Sequence, residues 1–557
     1  MSNMRIFGLA SGMDIDQIVK DLMKAERVRV DKAEQDKQIL KWRQELYNEL
    51  NKDFANFILD TKKDFELTKT TSTGSLINNS LSSLKWVKKA SSSDETIAGA
   101  SSTASAIDGT YSVHVEKLAS NFSAASANSL GELKSLKDQF GLADGDVIQF
   151  TITSKDGVAN TFKYSGSDLT DKTIKDIVAD INNFKDADNK TLGVKAVYDE
   201  NINRFFLQTT ETGSSKGFTI TKHADATVDF ITGGAGSKLG LNLISGTEYS
   251  GQDGEIDFAG ANKIAISTNQ LTINGINLDL KKVGDITVKV DTDIDSVYDK
   301  ISKFVEKYNE LVDKINSKLT EKQYRSFTPL TAEQKEAMSE KEVELWEEKA
   351  KSGLLKNDLI LSRTMQNVRS WMYEGVQGVT GVFDHLTEIG ITTEKYVSGS
   401  AGGKLVIDET KLKEAIRDNA DSVIELLFKE STSVSTSASE NTLSKEDIQT
   451  KRRESGIITR LYDNLIAGMK DVIDKAGPGD SSTLYRNVKS NLLIDFVTEH
   501  GSISLLDKDI SNIDKKLDDL NDYLLRTEDR YYKKFTAMEK AIQQMNSQSS
   551  WLAQQLG

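Results

Sequence analysis

The last fifty residues constrain the chain more than any other stretch. Counting from Ile510, one heptad position holds Ile510, Leu517, Leu524, Tyr531, Met538, Met545 and Leu552. The second holds Ile513, Leu520, Thr527, Lys534, Ala541, Gln548 and Gln555. A stripe recurring every 3.5 residues follows one side of an α-helix and calls for a partner helix along it. The two rows differ. The first is apolar throughout, whereas the second decays to Thr, Lys and Gln after Leu520, with Phe535 and Ile542 beside it. Such a seam is only modestly stable alone. Trp551 and Leu552, close to Gly557, are expected to be buried against a partner, because an exposed aromatic end on a long amphipathic helix invites association.

The other end of the chain supplies a candidate partner. From Asp14 to Lys63 no glycine or proline interrupts a helical pattern, with Ser11 as the expected N-cap. Ile15, Ile18, Val19, Leu22 and Met23 are apolar, the pattern thins through the charged Glu26–Lys37 stretch, and Leu46, Leu50, Phe54 and Phe57 restore it. Helices in compact domains seldom run this long, so the spacing predicts a break near the charged stretch or a projecting leg. Trp42 and Tyr47 are read as packing residues.

Between Asn79 and Val290 the period changes from helical to alternating. Gly109–Val115, Val147–Thr153, Thr161–Tyr164, Gly193–Tyr198, Arg204–Thr209 and Phe218–Thr221 read as strands separated by Gly, Asp, Asn and Ser turns. One helix interrupts them, with Thr173, Ile174, Ile177, Val178 and Ile181 spaced at 3 and 4. Strands return at Lys263–Ser267, Leu271–Ile273, Ile276–Leu280 and Ile286–Val290, with Asn274-Gly275 as a hairpin turn. A β-rich block this long is read as two modules, one interrupting the other.

A second helical block follows. Ile294, Val297, Ile301, Phe304, Tyr308, Leu311 and Ile315 step at 3 and 4, beginning among Asp291, Asp293 and Asp295, where carboxylates suit the helix dipole. After Pro329, the Glu333–Lys351 stretch packs seven acidic and four basic residues into nineteen positions and reads as an exposed helix or ordered arm. Trp346 within it anchors the arm to its own domain or to a neighbouring subunit. Leu354–Met372, Leu412–Leu427 and Ile457–Ile473 are further amphipathic helices, the last stopping at Gly477-Pro478-Gly479. The Ser/Thr-rich Glu430–Thr442 reads as a flexible connection.

Composition removes several kinds of chemistry. Lys plus Arg is 71 against 85 Asp plus Glu, a formal charge of −14, which argues against nucleic-acid binding. With no cysteine, disulfides, thiolate metal sites and cysteine nucleophiles are excluded. His114, His223, His385 and His500 are scattered, so no catalytic or metal-ligating set is expected and no cofactor is called for. Gly233–Lys238 fails the spacing of a phosphate loop and reads as a turn. Asp291, Asp293 and Asp295 open like a calcium loop, but the sixth position is Ser296 and the twelfth Ser302, so helix capping is the better account. Ser398–Ser400 is not a nucleophile elbow. No apolar run approaches a membrane span, and Ile6–Ala10 stops too early for a cleaved signal. The expectation is a non-enzymatic chain with no membrane insertion, either cytoplasmic or exported without a cleavable signal.

Both ends resemble one known family. Phe7-Gly8-Leu9-Ala10-Ser11-Gly12-Met13-Asp14-Ile15-Asp16, with Ile18-Val19 and Leu22-Met23, resembles the opening of the flagellar filament-capping protein family, flagellar hook-associated protein 2. Arg530-Tyr531, Phe535, Met538-Glu539 and Met545-Asn546-Ser547-Gln548-Ser549-Ser550-Trp551-Leu552 resemble its end. Leu386–Ile391 and Gly403–Leu412 resemble its central helical domain, and Leu271–Lys281 its returning β segment. The resemblance implies a multidomain α+β protein with terminal coiled-coil legs, a central helical domain and inserted β-rich modules. It divides the chain into a leg at 1–42 paired with 503–557, a helical domain at 43–78 and 291–502 bearing the acidic arm 329–352, an inner β-rich module at 79–129 and 250–290, and an outer variable module at 130–249. It also implies a structural cap at the distal end of the bacterial flagellar filament, outside the cell, exported without a cleaved signal peptide. The implied partners are a homo-oligomeric ring, flagellin, the hook–filament junction protein, the flagellar export apparatus and an export chaperone. The expected interface residues are Ile15, Val19, Leu22, Ile510, Ile513, Leu517, Leu520, Leu524, Tyr531, Met538, Met545 and Leu552, with Trp346 and Trp551 as further contacts. The competing readings are an adhesin using the outer module, another filament or tail protein, and a cell-surface glycosidase.

Overall fold

The computed structural model describes residues 12–72, 76–395, 402–435, 443–477 and 504–556. The expectations at Ser11, Ser398–Ser400, Pro478 and His500, and for residues 436–442, lie outside them. In chain order the helices are α1 (Ile15–Asp64), α2 (Leu136–Phe140), α3 (Ser167–Asp171), α4 (Ile174–Asn183), α5 (Ile294–Thr320), α6 (Ala332–Glu336), α7 (Glu340–Lys351), α8 (Leu359–Tyr373), α9 (Glu409–Phe428), α10 (Lys445–Glu454), α11 (Ile457–Ala476) and α12 (Leu505–Leu556). The chain divides into two compact units, one built from the residues up to Leu81 and from Ile294 onward, the other from Ser82–Asp293. The changeovers fall three residues beyond the expected Asn79 and Asp291, the second because Asp291 and Thr292 still pair with Lys89 and Lys88 as the end of a strand.

In the first unit α1 is one helix of 50 residues, with no break at the charged stretch. Its N-cap is Asp14, whose carboxylate accepts the amide of Gln17 at 3.0 Å. The second half of α1 buries Tyr47, Leu50, Phe54, Ala55, Phe57, Ile58 and Thr61 in a body completed by α5, α8, α9 and α11. Aromatic rings link these helices: Phe57 and Phe65 each lie 5.7 Å from Phe304 of α5, Phe65 lies 4.7 Å from Phe428 of α9, and Phe57 lies 6.4 Å from Tyr462 of α11. Edge-on aromatic pairs add to the energy of simple burial. Arg460, fully buried on α11, donates to the carbonyls of Trp371 and Glu374 at 2.8 Å and of Ser455 at 2.9 and 3.1 Å. Burial pulls its guanidinium down to about 10, while the nearby Glu374 charge opposes that shift. One buried side chain thus closes carbonyls at the ends of two helices, groups that have no partner inside a helix.

Three details of the helices go beyond the expectation. The helix placed at Leu354–Met372 begins at Leu359, because Asp358 accepts the amides of Ile360 and Leu361 at 3.0 Å and sets the start there. The arm is two helices, each opened by its own capping box, Thr331 with Gln334 and Ser339 with Glu342. α9 contains a non-helical residue at Asn419 (φ −152°, ψ 61°).

The second unit has two hydrophobic cores. In one, a five-stranded antiparallel sheet packs on a three-stranded sheet over Val113, Val115, Ile256, Leu278, Val288 and their neighbours. The five strands are ordered Ala261–Ile266, Gly254–Phe258, Gly109–Lys117, Gly284–Thr292 and Lys88–Ser92, and the three are Gln270–Ile273, Ile276–Leu280 and Ala98–Ser102. Asn274 and Gly275 both have positive φ (50° and 75°), as a two-residue hairpin turn requires. A Cβ on Gly275 would also stand 2.5 Å from the amide of Ala106, so no other residue fits. The second core, from Leu136 to Leu243, lies under a four-stranded and a three-stranded sheet, with α4 among its elements. The short helices α2 and α3 were not anticipated, since five residues carry too little periodicity to register.

Candidate functional site

The terminal helices run antiparallel against each other. Gln44 of α1 donates to Asp507 at 2.8 Å, Lys37 pairs with Asp514, Glu26 accepts the hydroxyls of Tyr523 and Tyr531 at 3.4 and 3.2 Å, and Asp16 accepts that of Tyr532 at 3.1 Å. As the number rises along α1 it falls along α12. Ser504 starts α12, accepting the amide of Asp507 at 3.1 Å.

The α1 side of this seam is itself a 3-4 series: Val19, Met23, Glu26, Val30, Ala33, Lys37, Leu40, Gln44 and Tyr47, each buried or half-buried. Sequence reading missed it because three of the nine members are polar. Glu26 and Lys37 enter the seam only because Tyr523, Tyr531 and Asp514 across it supply hydroxyls and a countercharge. Tyr47 closes the series, and its hydroxyl donates to Asp358, the N-cap of α8. Burial and that hydrogen bond push its pKa up.

Ile15 and Val19 are 1% exposed, but Leu22 is 36% exposed and lies off the seam, where Met23 takes the inward position. Ile510, Ile513, Leu517, Leu520, Leu524, Tyr531 and Met538 are half-buried along it, and Thr527 is 2% exposed. Beyond Thr527 the second heptad row is corrected. Lys534 and Ala541 face out, and Phe535 and Ile542 are the half-buried residues. The step from Tyr531 to Phe535 inserts an extra four-residue interval, which locally unwinds a seam of this kind and moves its apolar row sideways. Met545, Trp551 and Leu552 are 66, 56 and 51% exposed, so the apolar stripe continues past the stretch that α1 covers.

Trp346 sits on the arm's own base. Its indole N–H donates to the Thr328 carbonyl at 2.8 Å and its ring lies 4.5 Å from that of Phe327. Ser352 donates to the Lys322 carbonyl at 2.7 Å and the Gly353 amide to Glu321 at 2.9 Å, closing the arm into a hairpin. It is tied to α1 by Gln35, which donates to the Pro329 carbonyl at 2.8 Å, and by Lys351, 5.2 Å from the Trp42 ring.

Other candidate chemistry has structural partners. Within Gly233–Lys238 the chain makes a single 3-10 turn at Gly234–Gly236, and Lys238 donates to the carbonyl of Phe140 at 2.9 Å. His114 lies 2.7 Å from Asp285, a contact that raises its pKa. Asp384, His385 and Glu388 bring ligand atoms within 4.8 Å of one another and are the residues that could hold a cation. Glu388 already accepts the amides of Asp384 and His385 at 2.8 and 3.1 Å, so a helix cap accounts for its position. Among the described residues no helix is long and apolar enough to cross a membrane.

Family models add the comparison with known proteins. Residues 11–121 match the model described as flagellar hook-associated protein 2 N-terminus, and residues 251–547 match flagellar hook-associated protein 2 C-terminus. A flagellar hook-associated protein 2 from Halalkalibacterium halodurans is 30% identical over 99% of both chains. One from Thermotoga maritima is 25% identical over 75% of this chain and 58% of its own length. A crystal structure of the D1-D2-D3 domains of the flagellar cap protein FliD from Escherichia coli aligns with a TM-score of 0.49 and 19% identity, over 76% of this chain and 95% of that one. With one model spanning more than half the sequence and a relative matched from end to end, the chain belongs to the flagellar hook-associated protein 2 family.

Proposed function

We propose that this chain is a structural cap at the distal end of the bacterial flagellar filament, retaining exported flagellin and promoting its ordered insertion. It acts by positioning other chains, as a homo-oligomeric ring outside the cell, and changes no covalent bond. Flagellin, the hook–filament junction protein and the export machinery with its chaperone are its partners, and export leaves the N-terminus uncleaved. Residues 1–42 with 503–557 form the legs, and 130–249 is a separable outer module. One observation carries this reading beyond family membership: the α12 stripe runs on to Met545, Trp551 and Leu552 with no cover from α1. An apolar row of this length on a helix tip marks a surface meant for another chain.

The double variant Met545→Asp with Leu552→Asp tests it. Both side chains are exposed in the single chain, so folding should be spared, whereas a carboxylate buried at an assembled interface is costly. In cells lacking their own copy, the variant should be exported but leave short filaments, with flagellin released into the medium. Export is measured separately by assaying the secreted chain. Full-length filaments with both substitutions would exclude this helix tip from capping, and normal filaments after removal of the whole protein would exclude the cap function.

A further inference from the structure

Two exposed surfaces of the first unit carry opposite charge that makes few ion pairs among the described residues. On the arm, three of the four lysines are used internally: Lys335 pairs with Glu347 at 2.6 Å, Lys349 lies 4.9 Å from the Phe327 ring, and Lys351 covers Trp42. Glu342 is held by Ser339. Glu333, Glu336, Glu340, Glu344 and Glu348 are left exposed with Lys341, and among the described residues none of them makes an ion pair. Leu345, 51% exposed, lies in their midst.

The outward side of α12 is the inverse. Between Leu525 and Ala541 the exposed charged residues are Arg526, Arg530, Lys533, Lys534 and Lys540, with Asp529 as the one acid. Leu525, 64% exposed, stands beside them. These bases make no ion pair among the described residues. Five acids and one base around a leucine on the arm are thus complementary in charge to five bases and one acid around a leucine on α12.

Among the described residues no ion pair joins them within one chain. The arm is tied to α1 at Gln35 and Trp42, whereas the basic stretch of α12 lies where Tyr532 and Tyr523 reach Asp16 and Glu26. The midpoints of the two levels are roughly 17 residues apart along α1, or about 26 Å at 1.5 Å per residue. We propose that the acidic arm of one copy docks on the basic outer face of α12 of a second copy. The contact joins unlike surfaces, so it propagates head to tail and closes into a ring when the rotation permits. It rests on the reading above that copies assemble, and it assigns the arm a role in holding neighbouring legs in register.

The full-length chain is tested by sedimentation in two charge-reversed forms, Glu340→Lys/Glu344→Lys/Glu348→Lys and Arg526→Glu/Arg530→Glu/Lys533→Glu, and in one chain carrying both sets. Each set alone should weaken self-association about tenfold at low salt, and the combined chain should recover to within about threefold of the unsubstituted one. Raising salt from about 50 mM to about 500 mM should weaken the unsubstituted assembly, since exposed charges are then screened. Because the chain has no cysteine, Glu344→Cys protein mixed with Arg530→Cys protein should form one specific disulfide-linked pair, a readout independent of the reversed charges. Absence of self-association, indifference to both charge sets, or failure of the combined chain to recover would overturn the proposal. Normal sedimentation of the arm variants while Met545→Asp/Leu552→Asp loses capping would remove this contact and leave the cap reading standing. Charge-swap recovery with unimpaired capping by Met545→Asp/Leu552→Asp would do the reverse.

Discussion

A single helix, α1, passes through two environments, and the contrast between its halves shows how the chain divides labour. From Tyr47 to Thr61 it buries side chains at close intervals among α5, α8, α9 and α11. From Ile15 to Trp42 it buries five residues, Ile15, Val19, Val30, Ala33 and Trp42. The rest of its seam with α12 is half-exposed and includes Glu26, Lys37 and Gln44. A residue in the body is surrounded, so its burial is settled by its own chain. A residue in the leg is covered on one side, and its remaining apolar surface stays available to whatever comes next. The body half of α1 is enclosed by its own chain, and the leg half leaves part of its apolar surface exposed.

The comparison breaks first if the body tolerates a large cavity. Phe54 is fully buried on the body half of α1, and Phe54→Ala should cost about 3–5 kcal/mol. The main thermal transition should fall accordingly. Calorimetry showing an unchanged transition would mean the body is no tighter than the leg.

A smaller, pH-dependent loss should follow Glu454→Gln at the end of α10. Hydrogen bonds from Ser431 at 2.7 Å and Ser433 at 2.6 Å hold this carboxyl at about 2, well below its ordinary 4.5. A depressed carboxyl stabilises the fold above its unfolded pKa and loses that contribution as pH falls through the folded value. The variant should therefore melt about 3 °C lower at neutral pH. It should converge with the unsubstituted protein as pH drops from about 4.5 to about 2. Parallel melting curves over that range would contradict the assignment.

The leg should respond more mildly and locally. Phe535→Ala removes half-buried area from the seam and should cost about 1 kcal/mol. The loss should be read as faster amide exchange in the first half of α1, with the body unchanged. Lys534→Ala, one residue away and facing out, should stay within about 0.5 kcal/mol. If Lys534 proves the more sensitive, the seam follows the strict heptad and the shift at Phe535 is wrong.

Most of the secondary structure was legible because its signals are local. The 3.5-residue stripe from Ile510, the alternation at Arg204–Thr209 and the Asn274-Gly275 turn each depend on neighbours a few residues apart, so they are written in order along the chain. Family membership was legible for the same reason, through short strings at both ends. What tertiary structure decided are contacts across hundreds of residues. Glu26 belongs to the seam only because Tyr523 and Tyr531 reach it, and read in isolation it breaks the pattern. Leu22 looks like a seam residue until Met23 is seen to take the inward place. Arg460 sits in the core because carbonyls from Trp371, Glu374 and Ser455 converge on it, a condition no spacing in the sequence encodes. The arm's closure by Trp346 on Thr328 was one of two outcomes that composition allowed equally. Periodicity determines which side of an element is apolar. Which side of another element covers it, and which polar groups are admitted there, depends on partners that meet only once the chain has folded.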